Sequence, residues 1–264
     1  MSARRRLRLC ALYPELMNIY ADRGNLIFLE RRCAWRGIEL VLERRTIGDL
    51  LQGDRHDLIY IGGGQDRDQR LCAEDLLARK AAGLHAALQR GAVLLAVCGG
   101  YQLLGRSYEI AAGDELPGVG IFGARTVRAA KRLIGNIAIE VPPEALGGGA
   151  DEERKAKGQG AGRLLAGFEN HAGRTLLDAD QAPLGRVVRG HGNDERSGLE
   201  GAVRGNAIGT YLHGPLLPKN AWLADLLIAR ALRIDPGELP ALPDELEHAA
   251  HLCALRAAGI RAQG

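Results

Sequence analysis

The sequence predicts an α/β protein with a central, mostly parallel β-sheet. Short apolar runs that end at glycine, proline or polar residues alternate with longer segments of helical periodicity, as in chains that form βαβ units. The clearest junction lies at residues 91–105, GAVLLAVCGGYQLLG, where an apolar run meets Cys98, two glycines and the start of a helical pattern. With 264 residues and a hydrophobic fraction of 46%, the chain can bury a large core.

The N-terminal half is predicted to supply the first strands and helices. A polar loop, residues 17–25, follows the first strand at the sheet edge where ligands bind in open α/β proteins. Its side chains are interpreted either as ligand contacts or as turn and capping groups. Short apolar runs predict strands at 7–12, 39–42 and 57–61, and apolar residues at helical spacing predict helices at 26–35 and 71–89.

The C-terminal half is predicted to complete the sheet and to end in helices. Residues 142–162 are rich in glycine and charge without apolar periodicity. Because strand patterns resume on both sides, we interpret them as a flexible surface insertion within a single domain spanning residues 1–264. We expect a hairpin region at 113–123, strands at 133–141, 164–168, 187–188, 201–203 and 207–212, and helices at 220–232 and 243–260.

The composition argues against several function classes. The 35 Lys and Arg residues are nearly balanced by 32 Asp and Glu, and a net charge of +3 argues against a nucleic-acid partner. No apolar run approaches the ~20 residues of a membrane helix and no signal-peptide pattern is present, so we expect a cytoplasmic protein without an integral membrane segment. The five cysteines form no CxxC pair, which favours reduced thiols over disulfides or zinc.

Cys98 is the main candidate nucleophile. A strand, a cysteine, two glycines and a helix form the pattern of a nucleophile elbow, and a helix N-terminus favours negative charge on the sulfur. The alternative is a buried core cysteine. The strand predicted at 207–212 delivers His213 to the same sheet edge, where it can supply the base that a cysteine nucleophile needs. We therefore interpret Cys98 and His213 as a catalytic pair.

Two further segments offer groups that bind negative charge. The glycines at 62–64 directly follow a strand, so their N–H groups can form half of an oxyanion hole. A phosphate cradle lacks the expected lysine, and a plain turn is the other alternative. The basic cluster at 128–132 either carries an arginine for a substrate carboxylate or forms a solvated face. His171 and His191 lack the spacing of metal ligands, so no metal site is expected.

Three motifs are shared with a known enzyme class, namely IGGGQD at 61–66, AVCGGYQLLG at 96–105 and GTYLHGPLL at 209–217. Through them the chain resembles class I (triad-type) glutamine amidotransferases of the cobyric acid synthase-like branch. Four other segments resemble more narrowly the glutaminase subunits of lipid II isoglutaminyl synthase: YPELMNIYADRGN at 13–25, RLIGNIAIE at 132–140, GFENHAGRT at 167–175 and HGPLLPKN at 213–220. The resemblance implies a flavodoxin-like three-layer fold.

The resemblance also implies roles for individual residues. Cys98, as a thiolate, would attack the side-chain amide of L-glutamine, and His213 would transfer protons. Gln102 and Arg132 are candidates for orienting the glutamine. The candidate oxyanion donors are the backbone N–H groups of Gly63, Gly64 and Gly99.

The same resemblance implies a division of labour between two subunits. Ammonia would pass to a Mur-ligase-like synthetase subunit in a heterodimer, which amidates D-glutamate of lipid II to D-isoglutamine in peptidoglycan synthesis. This chain would hold no cofactor, whereas ATP and Mg would bind to the partner. The competing hypotheses are an amidotransferase of cobyrinic or cobyric acid amidation, a stand-alone cysteine amidohydrolase and a catalytically silent subunit.

One position departs from the pattern of the class. Many members carry a glutamate two residues after the histidine, where this chain has Pro215. We therefore expect the acid that orients His213 to come from the partner subunit, with Glu169 and Glu200 as competing candidates within the chain.

Overall fold

The centre of the protein is a six-stranded sheet that is parallel except at one edge. The computed structural model describes residues 5–19, 22–111, 113–146 and 163–261. The edge strand β11 pairs antiparallel with β12, and the neighbouring pairs run parallel. In spatial order the strands are β11 (Ala202–Arg204), β12 (Ala207–Thr210), β4 (Val93–Val97), β3 (Leu58–Ile61), β1 (Arg6–Leu12) and β2 (Glu39–Arg45).

Buried strands and packed helices make the core of this sheet. Every residue of β3, β4 and β12 is buried, as expected for parallel strands that are covered on both faces. The helices are α1 (Arg23–Trp35), α2 (Asp66–Asp75), α3 (Ala81–Gln89), α4 (Gly99–Leu103), α5 (Leu216–Lys219), α6 (Ala221–Leu232) and α7 (Glu245–Ala257). A π-helical turn, Leu76–Lys80, joins α2 to α3, so the helix predicted at 71–89 begins earlier, at Asp66.

A buried ion cluster ties the C-terminal helix to the rest of the protein. Arg32 of α1 is fully buried and donates to Asp225 of α6 at 2.6 Å and to Asp244, immediately before α7, at 2.7 Å. Helix α6 packs on α1 and on strands β1, β3 and β4. None of the helices in the described part of the chain is long and apolar enough to span a bilayer.

A second, mainly antiparallel sheet lies against the first, and the sequence analysis did not separate it. Its order is β10-β9-β7-β5-β6, with β8 also paired to β7. The strands are β5 (Ser107–Ala111), β6 (Asp114–Pro117), β7 (Ala124–Val141), β8 (Arg163–Leu177), β9 (Gly185–Arg189) and β10 (Leu199–Glu200).

The long strands β7 and β8 correct two local predictions. The basic cluster at 128–132 lies within β7 rather than before a strand, and the strand predicted at 164–168 extends as β8 to Leu177, so that it includes His171. Charged residues on the exposed face of β7 interrupt the apolar pattern on which strand prediction relies. Of the predicted insertion, Pro143–Leu146 forms a 3₁₀ turn, and residues 147–162 lie outside the described residues.

Candidate active site

The turn from strand β4 to helix α4 has the geometry of an elbow. Cys98 lies between the two elements with φ 50° and ψ −106°, a conformation that is strained for a residue other than glycine. Its N–H donates to the carbonyl of Thr210 at 2.8 Å, which fixes the turn against the end of β12. A Cβ at Gly99 would lie 2.9 Å from the Gly64 nitrogen, so glycine alone fits next to Cys98.

The structure brings His213 against Cys98. The backbone of His213 exchanges hydrogen bonds of 2.8 and 3.2 Å with Phe168 of β8. The imidazole is buried, with Nδ1 3.1 Å from Oδ1 of Asp22 and a side-chain hydrogen bond to Cys98. Burial alone would lower the pKa of His213, but the charges and hydrogen bonds of Cys98 and Asp22 together outweigh it and raise the pKa to about 10. The imidazole therefore lies between the sulfur of Cys98 and the carboxylate of Asp22, and both groups favour its protonated form.

Asp22 is the acid that faces His213, and the sequence analysis missed it. Its carboxyl group is fully buried, and while Oδ1 faces the imidazole, Oδ2 accepts the N–H of Gly63 at 2.8 Å. The expectation that a partner subunit supplies this acid is therefore corrected, because the chain's own carboxylate occupies the place beside Nδ1. The signal available in the sequence was the polar loop at 17–25, interpreted there without a decision between ligand contacts and turn chemistry.

The two glutamates that were the competing candidates accept other hydrogen bonds. Glu169 accepts the N–H groups of His191 at 2.8 Å and Gly192 at 2.9 Å. Glu200 accepts the N–H of Tyr211 at 2.7 Å, and burial raises its pKa to about 8. Each glutamate therefore holds backbone at a loop or strand end, and the structure corrects the expectation that one of them orients His213.

The structure also separates the three candidate oxyanion donors. The prediction that Gly63 is an oxyanion donor is corrected, because its N–H already donates to the Asp22 carboxylate. A Cβ at position 63 would lie 2.8 Å from Cε1 of His213, so this glycine serves the close approach of the two side chains. Among the described residues, the N–H groups of Gly64 and Gly99 have no acceptor, and they lie next to each other beside Cys98. These two donors can hold an oxyanion.

A cavity of about 410 Å³ opens beside the sulfur of Cys98. Two residues predicted to orient a substrate, Gln102 and Arg132, are part of its wall. Gln102 is buried, and its Nε2 donates to the Tyr211 hydroxyl at 3.1 Å. The size suits a small molecule whose reacting group sits at the cysteine, with polar groups fixing its orientation.

A bulge in strand β7 delivers Arg132 to this cavity. The register with β8 shifts between Arg128 and Leu133, so the residues between them are displaced from regular pairing. Bulges of this kind re-aim side chains beside active sites. The guanidinium is then held by Asn170, whose side-chain oxygen accepts from Nε and whose carbonyl accepts from Nη2, both at 2.9 Å. Arg132 thus presents a positioned positive charge on the cavity wall.

Comparison with protein families identifies the class of enzyme to which this geometry belongs. The model of the CobB/CobQ-like glutamine amidotransferase domain matches residues 8–221, which include Asp22, Cys98 and His213. The chain belongs to this family. A cysteine nucleophile at a strand-to-helix elbow, with a histidine at a neighbouring strand end, is what glutamine hydrolysis by an amidotransferase requires.

Two curated relatives resemble this amidotransferase over most of its length. The lipid II isoglutaminyl synthase (glutamine-hydrolyzing) subunit GatD of Streptococcus pneumoniae is 37% identical over 91% of this chain and 87% of its own. The corresponding subunit of Staphylococcus aureus is 36% identical over 90% of this chain and 88% of its own. Cobyric acid synthase of Pelotomaculum thermopropionicum is 34% identical over 60% of this chain and 29% of its own.

Solved structures support the fold of this amidotransferase. The structure of PurLQS from Thermotoga maritima superposes with a TM-score of 0.53 at 18% identity, covering 86% of this chain and 95% of that chain. The predicted α/β fold with a central, mostly parallel sheet is confirmed.

Proposed function

We propose that this chain is the glutaminase subunit of a two-subunit enzyme that amidates lipid II. It hydrolyses L-glutamine at Cys98 and delivers ammonia to a Mur-ligase-like synthetase, which converts D-glutamate of the stem peptide to D-isoglutamine. The observation that carries the proposal is the buried row formed by Cys98, which follows β4, His213, which follows the neighbouring strand β12, and Asp22 in the loop after β1. The two relatives of similar length, both glutamine-hydrolysing lipid II isoglutaminyl synthase subunits, support the choice of acceptor.

The catalytic cycle begins with the sulfur of Cys98. As a thiolate beside the His213 imidazolium, it attacks the side-chain carbonyl carbon of glutamine, and the developing oxyanion accepts the N–H groups of Gly64 and Gly99. Collapse of the adduct breaks the carbon–nitrogen bond while His213 gives its proton to the leaving nitrogen, which departs as ammonia. Water then attacks the thioester, with His213 as the base, and releases glutamate.

The remaining residues orient the reactants. Asp22 keeps the proton of His213 on Nδ1 when the ring is neutral, so that Nε2 faces the chemistry. Arg132 binds the α-carboxylate of glutamine with the guanidinium N–H groups that do not donate to Asn170. Gln102 contributes to the wall that holds the substrate's aliphatic chain.

The synthetase half of the reaction belongs to the partner. Amidation of a carboxylate requires its activation, for which we propose that ATP and Mg bind to the partner subunit, as in Mur-ligase-like enzymes. The cobyric acid alternative is favoured less, because this chain spans 29% of the cobyric acid synthase that it matches, whereas it spans 87% of the lipid II subunit.

A reconstituted complex tests the proposal directly. The purified chain and a Mur-ligase-like partner should convert lipid II to its amidated form with glutamine and ATP. Cys98→Ser should abolish the reaction with glutamine but retain it with ammonium salts, because only the ammonia source is lost. Amidation of cobyrinic acid but not of lipid II would favour the alternative function in cobyric acid amidation. Full glutamine-dependent activity of Cys98→Ser would refute the mechanism.

A further inference from the structure

The side chain of Gln69 lies between the two proposed oxyanion donors. Gln69 is in the first turns of α2 and is 2% exposed. Its Nε2 donates to the carbonyl of Gly64 at 2.9 Å. A Cβ placed on Gly99 would lie 2.9 Å from both Cδ and Nε2 of Gln69, so the carboxamide packs directly against the Gly99 backbone. Gln69 therefore contacts both glycines whose N–H groups are the proposed oxyanion donors.

The oxygen of the same carboxamide has no hydrogen-bond partner among the described residues, although it is buried. Buried amide oxygens are almost always paired, so an unpaired one beside a cavity calls for a ligand. Gln69 lines the same cavity as Cys98. The orientation of the carboxamide is fixed chemically, because the Gly64 carbonyl can only accept and must face the NH₂ group. The oxygen is then the atom left for a donor in the cavity.

Resting on the proposed glutamine hydrolysis, we propose that Gln69 recognises the scissile amide of the substrate. Its Oε1 accepts one N–H of the glutamine side chain, and its Nε2 holds Gly64 in place as an oxyanion donor. The sequence analysis predicts no role for this residue, which precedes the helix predicted at 71–89.

The proposal gives the site a way to distinguish glutamine from glutamate. The amide nitrogen of glutamine carries two hydrogens, and one of them satisfies Oε1. A glutamate carboxylate offers no hydrogen there and turns an oxygen toward Oε1 in place of the amide nitrogen, so the product is bound less well and leaves. In the tetrahedral adduct the same hydrogen bond turns the nitrogen lone pair toward His213, which donates the proton with which ammonia departs. A site built to hydrogen-bond a substrate N–H rejects analogues that lack it.

Two substrates with the same acyl group separate this role from a structural one. L-Glutamate γ-methyl ester forms the same thioester with Cys98 but has no N–H on its leaving group. We expect Gln69→Leu to lower kcat/KM for glutamine about 100-fold and for the ester about tenfold, since both substrates lose the support of Gly64 and only glutamine loses the acceptor. Gln65→Leu, on the exposed wall of the same cavity, is the matched control and should change both substrates by the same factor.

A second variant keeps the test decisive if Gln69→Leu does not fold. In Gln69→Glu only the protonated carboxyl group can donate to the Gly64 carbonyl and accept from the substrate, so its activity relative to wild type should rise as the pH is lowered. Equal losses for both substrates, or a relative activity of Gln69→Glu that does not change with pH, would overturn the role of Gln69 while wild-type turnover of glutamine stands. No hydrolysis of glutamine by the wild-type chain with its partner would refute the proposed function itself.

Discussion

Replacement of Asp22 by asparagine is the most direct test of the acid assigned to His213. The carboxylate is fully buried and accepts two hydrogen bonds, from His213 Nδ1 at 3.1 Å and from the Gly63 N–H at 2.8 Å. Asparagine has one oxygen in place of two. Because the Gly63 N–H can only donate, that oxygen is held by Gly63, and the NH₂ group faces Nδ1. The imidazole must then accept at Nδ1 and carry its proton on Nε2, the wrong tautomer for a base beside Cys98.

The expected loss follows from the burial of this pair. Removing one partner of a buried ion pair costs about 3–5 kcal/mol. At 1.36 kcal/mol for each factor of ten, the same cost in the transition state lowers kcat/KM by about 160- to 5,000-fold. Loss of the Asp22 charge also lowers the pKa of His213, because that carboxylate helps to raise it. The imidazolium that stabilises the thiolate is then depleted near neutral pH.

Two measurements check this prediction. Glutamate release from glutamine, with and without the partner subunit, reports the catalytic loss. The alkylation rate of the Cys98 peptide reports the loss of thiolate and should fall in parallel. It is followed by mass spectrometry because Cys253 is exposed and can be alkylated as well. Glu169→Gln is the control and should retain activity within about tenfold, as its bonds are to the His191 and Gly192 backbone. If a folded Asp22→Asn chain in the complex keeps activity within threefold of wild type, Asp22 is not the orienting acid, and the partner subunit becomes the candidate for supplying it.

Three further predictions address the other groups of the site. Gly63→Ala places a Cβ 2.8 Å from Cε1 of His213 and should lower kcat about 100-fold. Gly135→Ala is the control, because a Cβ there meets nothing within 4 Å, and it should leave activity unchanged. Equal activities of the two variants would contradict the packing argument. Arg132→Lys loses the planar fork and should raise KM for glutamine about 10- to 100-fold with a smaller change in kcat, so an unchanged KM in steady-state kinetics would remove Arg132 from substrate binding. Burial raises the pKa of Glu200 to about 8 from an ordinary value of 4.5, so the folded state binds the extra proton and wild-type stability should fall as pH rises between these values. In Glu200→Gln this decrease of the unfolding free energy with pH should be absent, and it amounts to about 1.4 kcal/mol for each pKa unit. If the melting temperatures of variant and wild type change in the same way across pH 5–8, the prediction is contradicted.

The residues that sequence analysis identified are those whose role is encoded by their immediate neighbours. Cys98 was recognisable because the strand before it and the glycines after it define the elbow within a few positions. Arg132 was selected from the basic cluster at 128–132 only through the resemblance, since the register shift that delivers it depends on the pairing of β7 with β8. The second sheet was missed for a related reason, because the charged residues of β7 hide its alternation.

The groups that sequence analysis missed act through contacts between distant segments. Asp22 and His213 are 191 positions apart, and no local pattern distinguishes this aspartate from those that end turns. The hydrogen bond from the Gly63 N–H to that carboxylate is equally hidden in the sequence, so the resemblance offered Gly63, Gly64 and Gly99 as candidate donors where the fold leaves Gly64 and Gly99. Gln69 lies just before the helix predicted at 71–89, and only the packing of α2 on Gly64 and Gly99 gives its carboxamide a place in the site.

The segment after His213 explains why the acid comes from the 17–25 loop. Pro215 stands where the pattern of the class has a glutamate, and its ring packs so closely on Gly24 that a Cβ there would lie 2.6 Å from the proline Cγ. Two positions further, the N–H of Leu217 donates to Asn25 at 2.8 Å. A carboxylate at position 215 would have to displace this contact, whereas the proline closes the loop against the strand end and presents Asp22 to the imidazole. The contact of Pro215 with Gly24 and the hydrogen bond from Leu217 to Asn25 therefore hold the segment after His213 against the loop that carries Asp22.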